Sequence, residues 1–339
     1  MTDRYRALQA TGNGALELVE RPLPSPAAGD VLLAVEACGI CHTDAFTVDY
    51  GFEGLTYPRV PGHEVIGRIT QRGEGVDPRW HVGQRVGVGY LGGRCGQCES
   101  CRRGDFINCT QQTVTGVHRD GGYAEAMTAS QHGLIAIPDD LDSINAAPLL
   151  CAGITTFNAL RKSGVKAGQL AAIQGVGGLG HLGIQYARRM GLRTVAIARG
   201  ADKQQLAVEL GAHHYIDSRA EDPAAALMAL GGADVIVATA SSPATFGQLL
   251  RGLNSRGCLV IVGAGGEPMS INVGDLLAGE HSIQGFITGT PGESEDMLNF
   301  SLLQNIRPKT ETMPLERAAE GYAKMMRNEA RFRIVITMG

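Results

Sequence analysis

Four cysteines stand close together in the segment CGQCESCRRGDFINC, residues 95–109. They are Cys95, Cys98, Cys101 and Cys109, and their spacing lets one loop surround a tetrahedral ion with thiolates. Four thiolates leave no coordination position for water, so such a site is structural rather than catalytic. The spacing predicts a bound metal and favours zinc. An iron–sulfur cluster and a disulfide pair are the alternatives.

A second set of metal-binding residues is spread over three segments. GICHTD holds Cys41, PGHEVIG holds His63, and PLLCAGITT holds Cys151. Two thiolates and one imidazole leave the fourth position of a zinc ion open to water or to a substrate oxygen. Zinc in such a site acts as a Lewis acid and stabilises an alkoxide at neutral pH. Taken singly, His63 is also compatible with a surface turn, and Cys151 with a small buried core residue.

The segment GVGGLG, residues 175–180, fits the glycine pattern of dinucleotide-binding loops, between an apolar strand and a helix. Gly175 would allow the tight turn, Gly177 would let a pyrophosphate approach the backbone, and Gly180 would let helix and strand pack closely. Gly178 and Leu179 complete the loop, and the free N–H groups of the helix N-terminus would face the phosphates. A βα turn without a ligand is the alternative.

The segment AIARGADK bears on which dinucleotide is bound, because an acid at the end of the second strand usually binds the ribose of NAD. No acid stands at Ala198 or Arg199. A 2′-phosphate would therefore meet no repulsion there, while Arg199 supplies a planar cation and Lys203 a second positive charge. We interpret the segment as an NADP site. A solvated Arg199 beside a site for NAD is the alternative.

Two kinds of pattern must position these residues. Up to about residue 150, Gly and Pro separate short apolar runs such as VLLAVEA (31–37) and RVGVGY (85–90), which predict β-strands. Strands then alternate with helices, which implies a parallel sheet covered on both faces. The predicted strands are 170–174, 194–198, 234–240 and 258–264, and the predicted helices are a run ending at Arg189, 203–212 and 244–253. The tail RFRIVITMG predicts a last strand that returns to the first domain.

Composition narrows the class of protein. A chain of 339 residues suits two domains, and its 44% hydrophobic and 19% charged residues are typical of an ordinary globular protein. The net charge of −4 argues against nucleic-acid binding. We find no apolar run long enough to span a bilayer and no signal peptide, so we expect a cytoplasmic protein with no membrane partner. Its eight cysteines are then expected to be ligands or buried thiols.

In this order, GICHTD, PGHEVIG, the four-cysteine loop, PLLCAGIT and GVGGLG resemble the zinc-containing, medium-chain alcohol dehydrogenases over nearly the whole chain. The resemblance implies a GroES-like β-rich catalytic domain over 1–151 and 288–339. It implies a Rossmann dinucleotide-binding domain, with a doubly wound parallel sheet, over 152–287. It also implies two zinc ions per chain, with the catalytic ion on Cys41, His63 and Cys151.

The resemblance implies roles for five further residues. Glu64 would lie beside the metal, and Asp44 would orient the histidine ligand. Thr43 would contact the substrate oxygen and begin proton transfer. His42 would lie near the phosphates of the cofactor, and Arg333 would contact its pyrophosphate.

Two positions depart from the family pattern. Many relatives have a histidine where this chain has Phe46, so the proton path must end at Thr43 and the cofactor ribose, at His42 or at water. Relatives often have an arginine where this chain has Pro291. An aromatic pocket would suit apolar or aromatic alcohols, and its candidate residues are Tyr50, Phe52, Tyr57 and Trp80.

The sequence thus predicts a zinc-dependent alcohol dehydrogenase. It would interconvert small alcohols, primary rather than secondary, and carbonyl compounds by hydride transfer with NADP(H), or with NAD(H) as the alternative. A zinc- and nucleotide-binding protein of the same fold without turnover is the non-enzyme alternative. Polyol dehydrogenases, which usually have an acid at position 151, and quinone reductases, which lack the metal motifs, fit less well. We expect a homo-oligomer, a tetramer rather than a dimer, with contacts around 275–290.

Overall fold

Residues 3–240, 245–263 and 267–339 are described by the computed structural model. Predictions at residues 244 and 264 therefore lie outside the described residues. Contacts between residues divide the chain into two units. One contains the residues up to Ile154 together with Thr288–Gly339, and the other is Thr155–Ile287.

The strands and helices are numbered in chain order. The strands are β1 Arg4–Ala10, β2 Leu16–Pro22, β3 Asp30–Ile40, β4 Val65–Arg72, β5 Arg85–Val88, β6 Leu91–Gly93, β7 Thr113–Val114, β8 Ala126–Ser130, β9 Leu134–Ala136, β10 Leu170–Gln174, β11 Arg193–Ala198, β12 His214–Asp217, β13 Ala233–Ala238, β14 Leu253–Ile261, β15 Ser282–Gly285, β16 Thr310–Pro314 and β17 Arg333–Thr337. The α-helices are α1 Glu99–Arg102, α2 Ser143–Pro148, α3 Ile154–Lys162, α4 Gly180–Arg189, α5 Gln204–Glu209, α6 Pro223–Ala229, α7 Phe246–Leu249, α8 Val273–Ala278, α9 Pro291–Leu303 and α10 Ala318–Met326.

The first unit is built on a mixed sheet with the strand order β16-β17-β3-β4-β5-β9, and β8 also pairs with β3. The apolar run Val31–Val35 lies on β3, which packs into a core shared with β1, β4, β5, β8 and β17. The tail strand β17 runs antiparallel to β3, with Ile334 opposite Ile40. β3 is therefore the central strand of the unit.

The register of the central strands brings distant residues together. β3 and β4 are antiparallel, with Cys38 opposite Val65, and the Gly39 N–H donates to the Glu64 carbonyl at 3.0 Å. The chain leaves β3 at Cys41 and enters β4 just after Glu64. Because β17 begins at Arg333 beside the same end of β3, three segments far apart in sequence meet at one end of the sheet.

The second unit has a parallel sheet in the order β12-β11-β10-β13-β14-β15. This is the doubly wound order, in which the strand order reverses at the first strand of the unit, here β10. Strand β10 coincides with the predicted run 170–174, and its buried residues face a core with β11, β13 and β14. The predicted doubly wound parallel sheet is confirmed.

Two details of the second unit differ from the sequence prediction. The helix predicted over 244–253 is only α7 followed by a 3-10 turn at Leu250–Gly252, and strand β14 already begins at Leu253. Strands β12 and β15 and helices α3, α6 and α8 were not predicted. Helix α6 nevertheless has a readable start, because the Asp222 carboxylate accepts the Ala224 N–H and Pro223 occupies the first turn.

One helical segment is longer and more apolar than expected from the sequence. Among the described residues, Ser143–Lys162 is a continuous helical run of 20 residues that is long and apolar enough to cross a membrane. The expectation that no run reaches this length is therefore wrong. However, 83% of its most apolar window is buried inside the protein, as in a core helix.

Candidate active site

The predicted catalytic ligands lie together in the first unit. The metal-binding atoms of Cys41, His63, Glu64 and Cys151 all lie within 4.8 Å of one another, and all four residues are buried. The Cys41 and Cys151 sulfurs are 3.7 Å apart. Two thiolates on a tetrahedral zinc ion, each about 2.3 Å from the metal, are separated by about 3.8 Å. The sulfur pair therefore has the spacing that a shared zinc ion requires.

Two buried atoms of this cluster have no hydrogen-bond partner among the described residues. They are Nε2 of His63 and Oε2 of Glu64. A buried polar atom without a partner costs free energy unless something else binds it. Together with the two sulfurs, these atoms form a nitrogen, oxygen and sulfur donor set that suits zinc. The residues present therefore fit the metal that the motifs predicted.

Cys151 reaches the cluster from an irregular helical turn. Helix α2 contains Pro148, which has no N–H to donate and whose ring crowds the preceding turn. The backbone widens directly afterwards into a π-helical turn, Leu149–Gly153, and regains α-helical geometry at Ile154. The sulfur of Cys151 thus belongs to the widened turn.

Asp44 connects two of the ligands. Its Oδ1 lies 2.9 Å from Nδ1 of His63, and its Oδ2 accepts the backbone N–H of Cys41 at 2.9 Å. Because Nδ1 is engaged, Nε2 is the ring nitrogen that remains available. Burial acts to lower the pKa of His63, but the Asp44 carboxylate and Cys41 together raise it well above its usual value. A hydrogen bond from Cys151 lowers the pKa of Cys41 well below its usual value.

Glu64 forms a buried ion pair with Arg333. Their side chains are 0% and 4% exposed, and the Arg333 guanidinium donates to Oε1 of Glu64. Burial raises the pKa of Glu64 to about 7, although the positive charge of Arg333 acts to lower it. The sequence predicted that Arg333 contacts a pyrophosphate. Among the described residues its guanidinium also binds Glu64, while its Nε has no partner and is left for a further contact.

The residues after Cys41 form a 3-10 turn, His42–Asp44. The Thr43 hydroxyl lies 3.6 Å from the Cys41 sulfur, so this side chain borders the ligand cluster. His42 is exposed on the same turn. The three side chains of the turn therefore differ in exposure, and only Asp44 is fully buried.

Aromatic side chains cluster beyond this turn. Phe46 makes edge contacts with Tyr50 and Phe52, at ring-centre distances of 6.2 and 5.7 Å. Tyr90, which the sequence did not suggest, lies with its ring 6.0 Å from that of His63. Trp80 is a correction, because it is 2% exposed and belongs to the core of the first unit.

The four-cysteine loop also converges. The sulfurs of Cys95, Cys98, Cys101 and Cys109 lie within 4.8 Å of one another. The Cys95 and Cys109 sulfurs are 3.6 Å apart, far beyond a disulfide bond, and all eight cysteines are free. Hydrogen bonds from the backbone N–H groups of Cys101 and Thr110 lower the pKa of Cys98 to about 6. The loop is therefore prepared to present a thiolate to a metal.

In the second unit, the glycine loop joins β10 to α4. A Cβ atom on Gly180 would lie 1.7 Å from the Gly175 carbonyl oxygen, so only glycine fits there. A Cβ atom on Gly177 would meet nothing within 4 Å. There is thus free space beside Gly177, where a pyrophosphate is expected. There is none beside Gly180, where helix and strand pack.

Positive side chains follow the second strand of this unit. Lys203 Nζ donates to the Val176 carbonyl of the glycine loop at 3.1 Å. Arg199 is exposed and has no ion pair or hydrogen bond to another described residue. The sequence did not suggest Asp217, which lies opposite Ala198 in the sheet. Its carboxylate is already engaged, because it accepts the backbone N–H groups of Gly200 and Arg219 at 2.6 and 2.9 Å.

Tyr123 was also missed. Its hydroxyl donates to Oδ2 of Asp44 at 2.8 Å, and the side chain is completely buried. Burial, followed by the charge of Asp44, raises the pKa of Tyr123 well above its usual value, so the phenol remains a donor. The only sequence signal was a tyrosine after two glycines in GGYAE, which carries no recognisable chemistry by itself.

Comparisons with known proteins identify the family of this chain. A family model for the alcohol dehydrogenase GroES-like domain matches residues 27–139, and one for zinc-binding dehydrogenases matches residues 178–302. Over 323 residues the chain is 43% identical to alcohol dehydrogenase patD of Penicillium expansum, which covers 95% of this chain and 94% of the relative. The chain belongs to the zinc-containing medium-chain alcohol dehydrogenases.

Solved structures of other members contain either nicotinamide cofactor. The CAD from Helicobacter pylori complexed with NADP(H) has a TM-score of 0.86 and 26% identity, covering 99% of each chain. Acetophenone reductase from Geotrichum candidum in complex with NAD has a TM-score of 0.86 and 26% identity, covering 99% of this chain and 98% of that one. This member of the zinc-containing medium-chain alcohol dehydrogenases is therefore an enzyme with zinc and a nicotinamide cofactor. The predicted family and fold class, GroES-like plus Rossmann, are confirmed.

Proposed function

We propose that this alcohol dehydrogenase interconverts primary alcohols, aliphatic or aromatic, and their aldehydes with NADP(H). The observation that carries the proposal is the convergence of two sulfurs, one imidazole and one carboxylate, all buried and within 4.8 Å of one another. We assign the catalytic domain to 1–151 and 288–339 and the cofactor domain to 152–287.

Cys41, His63 and Cys151 would hold the catalytic zinc, and Cys95, Cys98, Cys101 and Cys109 a structural one. When bound, the catalytic zinc supplies a Lewis acid for the substrate oxygen, and the nicotinamide ring supplies or accepts the hydride. Asp44 keeps the His63 ring in one tautomer and orientation through its bond to Nδ1. Glu64 stays beside the ligands because Arg333 compensates its charge.

Thr43 carries the first proton step. Its hydroxyl lies beside the Cys41 sulfur, so it can hydrogen-bond to an oxygen held at the ligand cluster. Phe46 has no proton to pass on, so the route continues through the cofactor ribose, His42 or water. We assign His42 to the cofactor phosphates, and Arg333 also to the pyrophosphate, since its Nε has no partner among the described residues.

The cofactor preference rests on charge. Gly175, Gly177, Gly178, Leu179 and Gly180 would receive the pyrophosphate at the start of α4. Lys203 is held next to this loop by Val176, and Arg199 is exposed with an unengaged guanidinium within the described residues. A 2′-phosphate would be attracted by both positive charges. A 2′-hydroxyl would have no carboxylate at Ala198 to accept its hydrogen bond. The same reaction with NAD(H) is the alternative.

Substrate preference follows from the exposed aromatic side chains near the turn. Phe46 contacts Tyr50 and Phe52 edge to face, and Tyr50 and Phe52 are 68% and 38% exposed. Aromatic rings favour such edge contacts, so a benzyl or alkyl group would find partners here. The hydroxyl of Tyr57 is already engaged, because it donates to the Thr47 carbonyl at 3.1 Å.

The edge of the second sheet supports a homo-oligomer, which we propose to be a tetramer. Strand β15 is terminal in the described part of the sheet, and Val273, Leu277 and Ile287 nearby are 64%, 73% and 57% exposed. An open edge with apolar neighbours is suited to pairing with a second copy. The free thiols favour a reducing compartment, so we place the enzyme in the cytoplasm.

The test is steady-state kcat/KM for NADPH and NADH with zinc-loaded enzyme, using benzaldehyde and a short aliphatic aldehyde. We expect a strong preference for NADPH that Arg199→Asp reverses, because the new charge repels a 2′-phosphate. Arg193→Asp, at the other end of β11, is the matched control and should keep the preference. A preference for NADH in the unmodified enzyme would overturn the cofactor assignment. Absence of turnover with either cofactor would overturn the enzyme assignment to this site.

A further inference from the structure

Asp44 is the point at which the catalytic ligand cluster is held together. One carboxylate oxygen contacts the His63 ring, and the other accepts the Cys41 backbone N–H. A small rotation of this carboxylate would therefore move two ligands relative to each other. Its side chain is 2% exposed, so solvent contributes little to holding it.

The third partner of the carboxylate is Tyr123. Its hydroxyl donates to the same Oδ2 that accepts the Cys41 N–H, at 2.8 Å. A carboxylate that accepts several hydrogen bonds has few orientations that satisfy all of them. Tyr123 thus restricts the rotation of Asp44 without contacting a metal ligand through its hydroxyl.

Tyr123 also supports the backbone that carries the histidine ligand. Its N–H donates to the Pro61 carbonyl at 3.1 Å, and the neighbouring Gly122 N–H donates to the Gly62 carbonyl at 3.0 Å. A Cβ atom on Gly62 would lie 2.5 Å from the Tyr123 ring, and Gly62 has a φ of +101°. The glycine before His63 is therefore required both by its conformation and by the ring packed against it.

We propose that Tyr123 is a positioning residue of the catalytic zinc site, whose hydroxyl fixes Asp44 and thereby aligns Cys41 and His63 before metal binds. This role rests on the proposed assignment of Cys41, His63 and Cys151 as zinc ligands. It predicts an effect on how tightly the catalytic zinc is held, and none on the four-cysteine site.

The test is the Tyr123→Phe variant, which removes only the hydroxyl and keeps the ring against Gly62. Tyr322→Phe is the matched control, because Tyr322 is also buried and its hydroxyl donates to a carboxylate, that of Asp49. Zinc release to a chromogenic chelator would be followed for each holoenzyme, together with the absorption spectrum after Co²⁺ replaces the catalytic zinc.

We expect the catalytic zinc to be held about tenfold more weakly in Tyr123→Phe and to leave correspondingly faster than in the unmodified enzyme, at the low end of the range of affinity losses for such supporting contacts. The Co²⁺ spectrum should shift, while Tyr322→Phe matches the unmodified enzyme in both measurements. Equal release rates and spectra for Tyr123→Phe and the unmodified enzyme would overturn the positioning role. An unmodified enzyme with fewer than two zinc ions per chain would instead overturn the proposed zinc sites.

Discussion

Gly177 offers a substitution that should separate cofactor binding from stability. A Cβ atom at this position would have no heavy atom within 4 Å, and the φ of Gly177 lies outside the left-handed region. Gly177→Ala therefore adds a methyl group without a clash. If the pyrophosphate lies against this backbone, the methyl group occupies the space that the phosphate oxygens need.

The two effects have opposite signs. Replacing glycine by alanine where the backbone allows it stabilises the fold by about 0.4–1 kcal/mol, because the unfolded chain loses conformational freedom. Displacing a phosphate from hydrogen-bonding N–H groups costs about 1.5–3 kcal/mol, the range for bonds to charged groups. That loss corresponds to a dissociation constant roughly 10- to 150-fold higher. The variant should thus be at least as stable as the unmodified enzyme and bind NADPH more weakly.

Calorimetric titration of NADPH and thermal unfolding without cofactor would measure the two effects on the same samples. Gly183→Ala is the control, because its Cβ atom would make only ordinary contacts of 3.4 Å or more inside α4. It should be stabilised by about 1 kcal/mol with unchanged NADPH affinity. Unchanged NADPH affinity in Gly177→Ala would refute the placement of the pyrophosphate on this loop.

Two further predictions concern the first unit. Cys98→Ser should contain one zinc ion per chain where the unmodified enzyme contains two, because serine is a poor zinc ligand. Elemental analysis that finds two zinc ions in the variant would contradict the four-cysteine assignment. Glu125→Gln should lower the free energy of unfolding by less than about 1 kcal/mol, since this partly exposed carboxylate binds Arg6. Hydrogen bonds from Arg6 hold the pKa of Glu125 below its ordinary value. The difference between the two proteins should thus be complete above about pH 5 and shrink as the pH falls below about 4, in urea titrations at several pH values. A difference that grows in acid would contradict this sign.

Much of the second unit was predictable because its strands are continuous buried apolar runs. Strand β10 matches the predicted 170–174 at both ends. Helix α7 was overestimated because apolar spacing continued through Gly252, where the chain already turns toward β14. Strand β12 was missed because HYID is short and mostly polar in character, and its pairing with β11 supplies the stability that its own residues do not indicate.

The candidate zinc residues were recognisable from their chemistry and from the family resemblance, but their proximity was not. Their proximity depends on the antiparallel register of β3 with β4, which is a long-range consequence of packing. It also depends on the widened turn at Cys151, which is a local one. Tyr123 illustrates the remaining gap. Its partner Asp44 is 79 positions away, and no spacing rule connects a tyrosine to a carboxylate at that separation.

In the proposed homo-oligomer, the terminal position of β15 in the described part of the sheet also affects how the enzyme is made. Folding of a chain does not depend on its concentration, whereas pairing of two copies does. If copies pair through this edge as proposed, each new chain spends an interval folded with the β15 edge and the apolar side chains of Val273 and Leu277 uncovered. Edges of this kind also pair with the wrong strands, so slow synthesis at low temperature, with chaperones in excess, should raise the yield of active enzyme more than a stabilised core would.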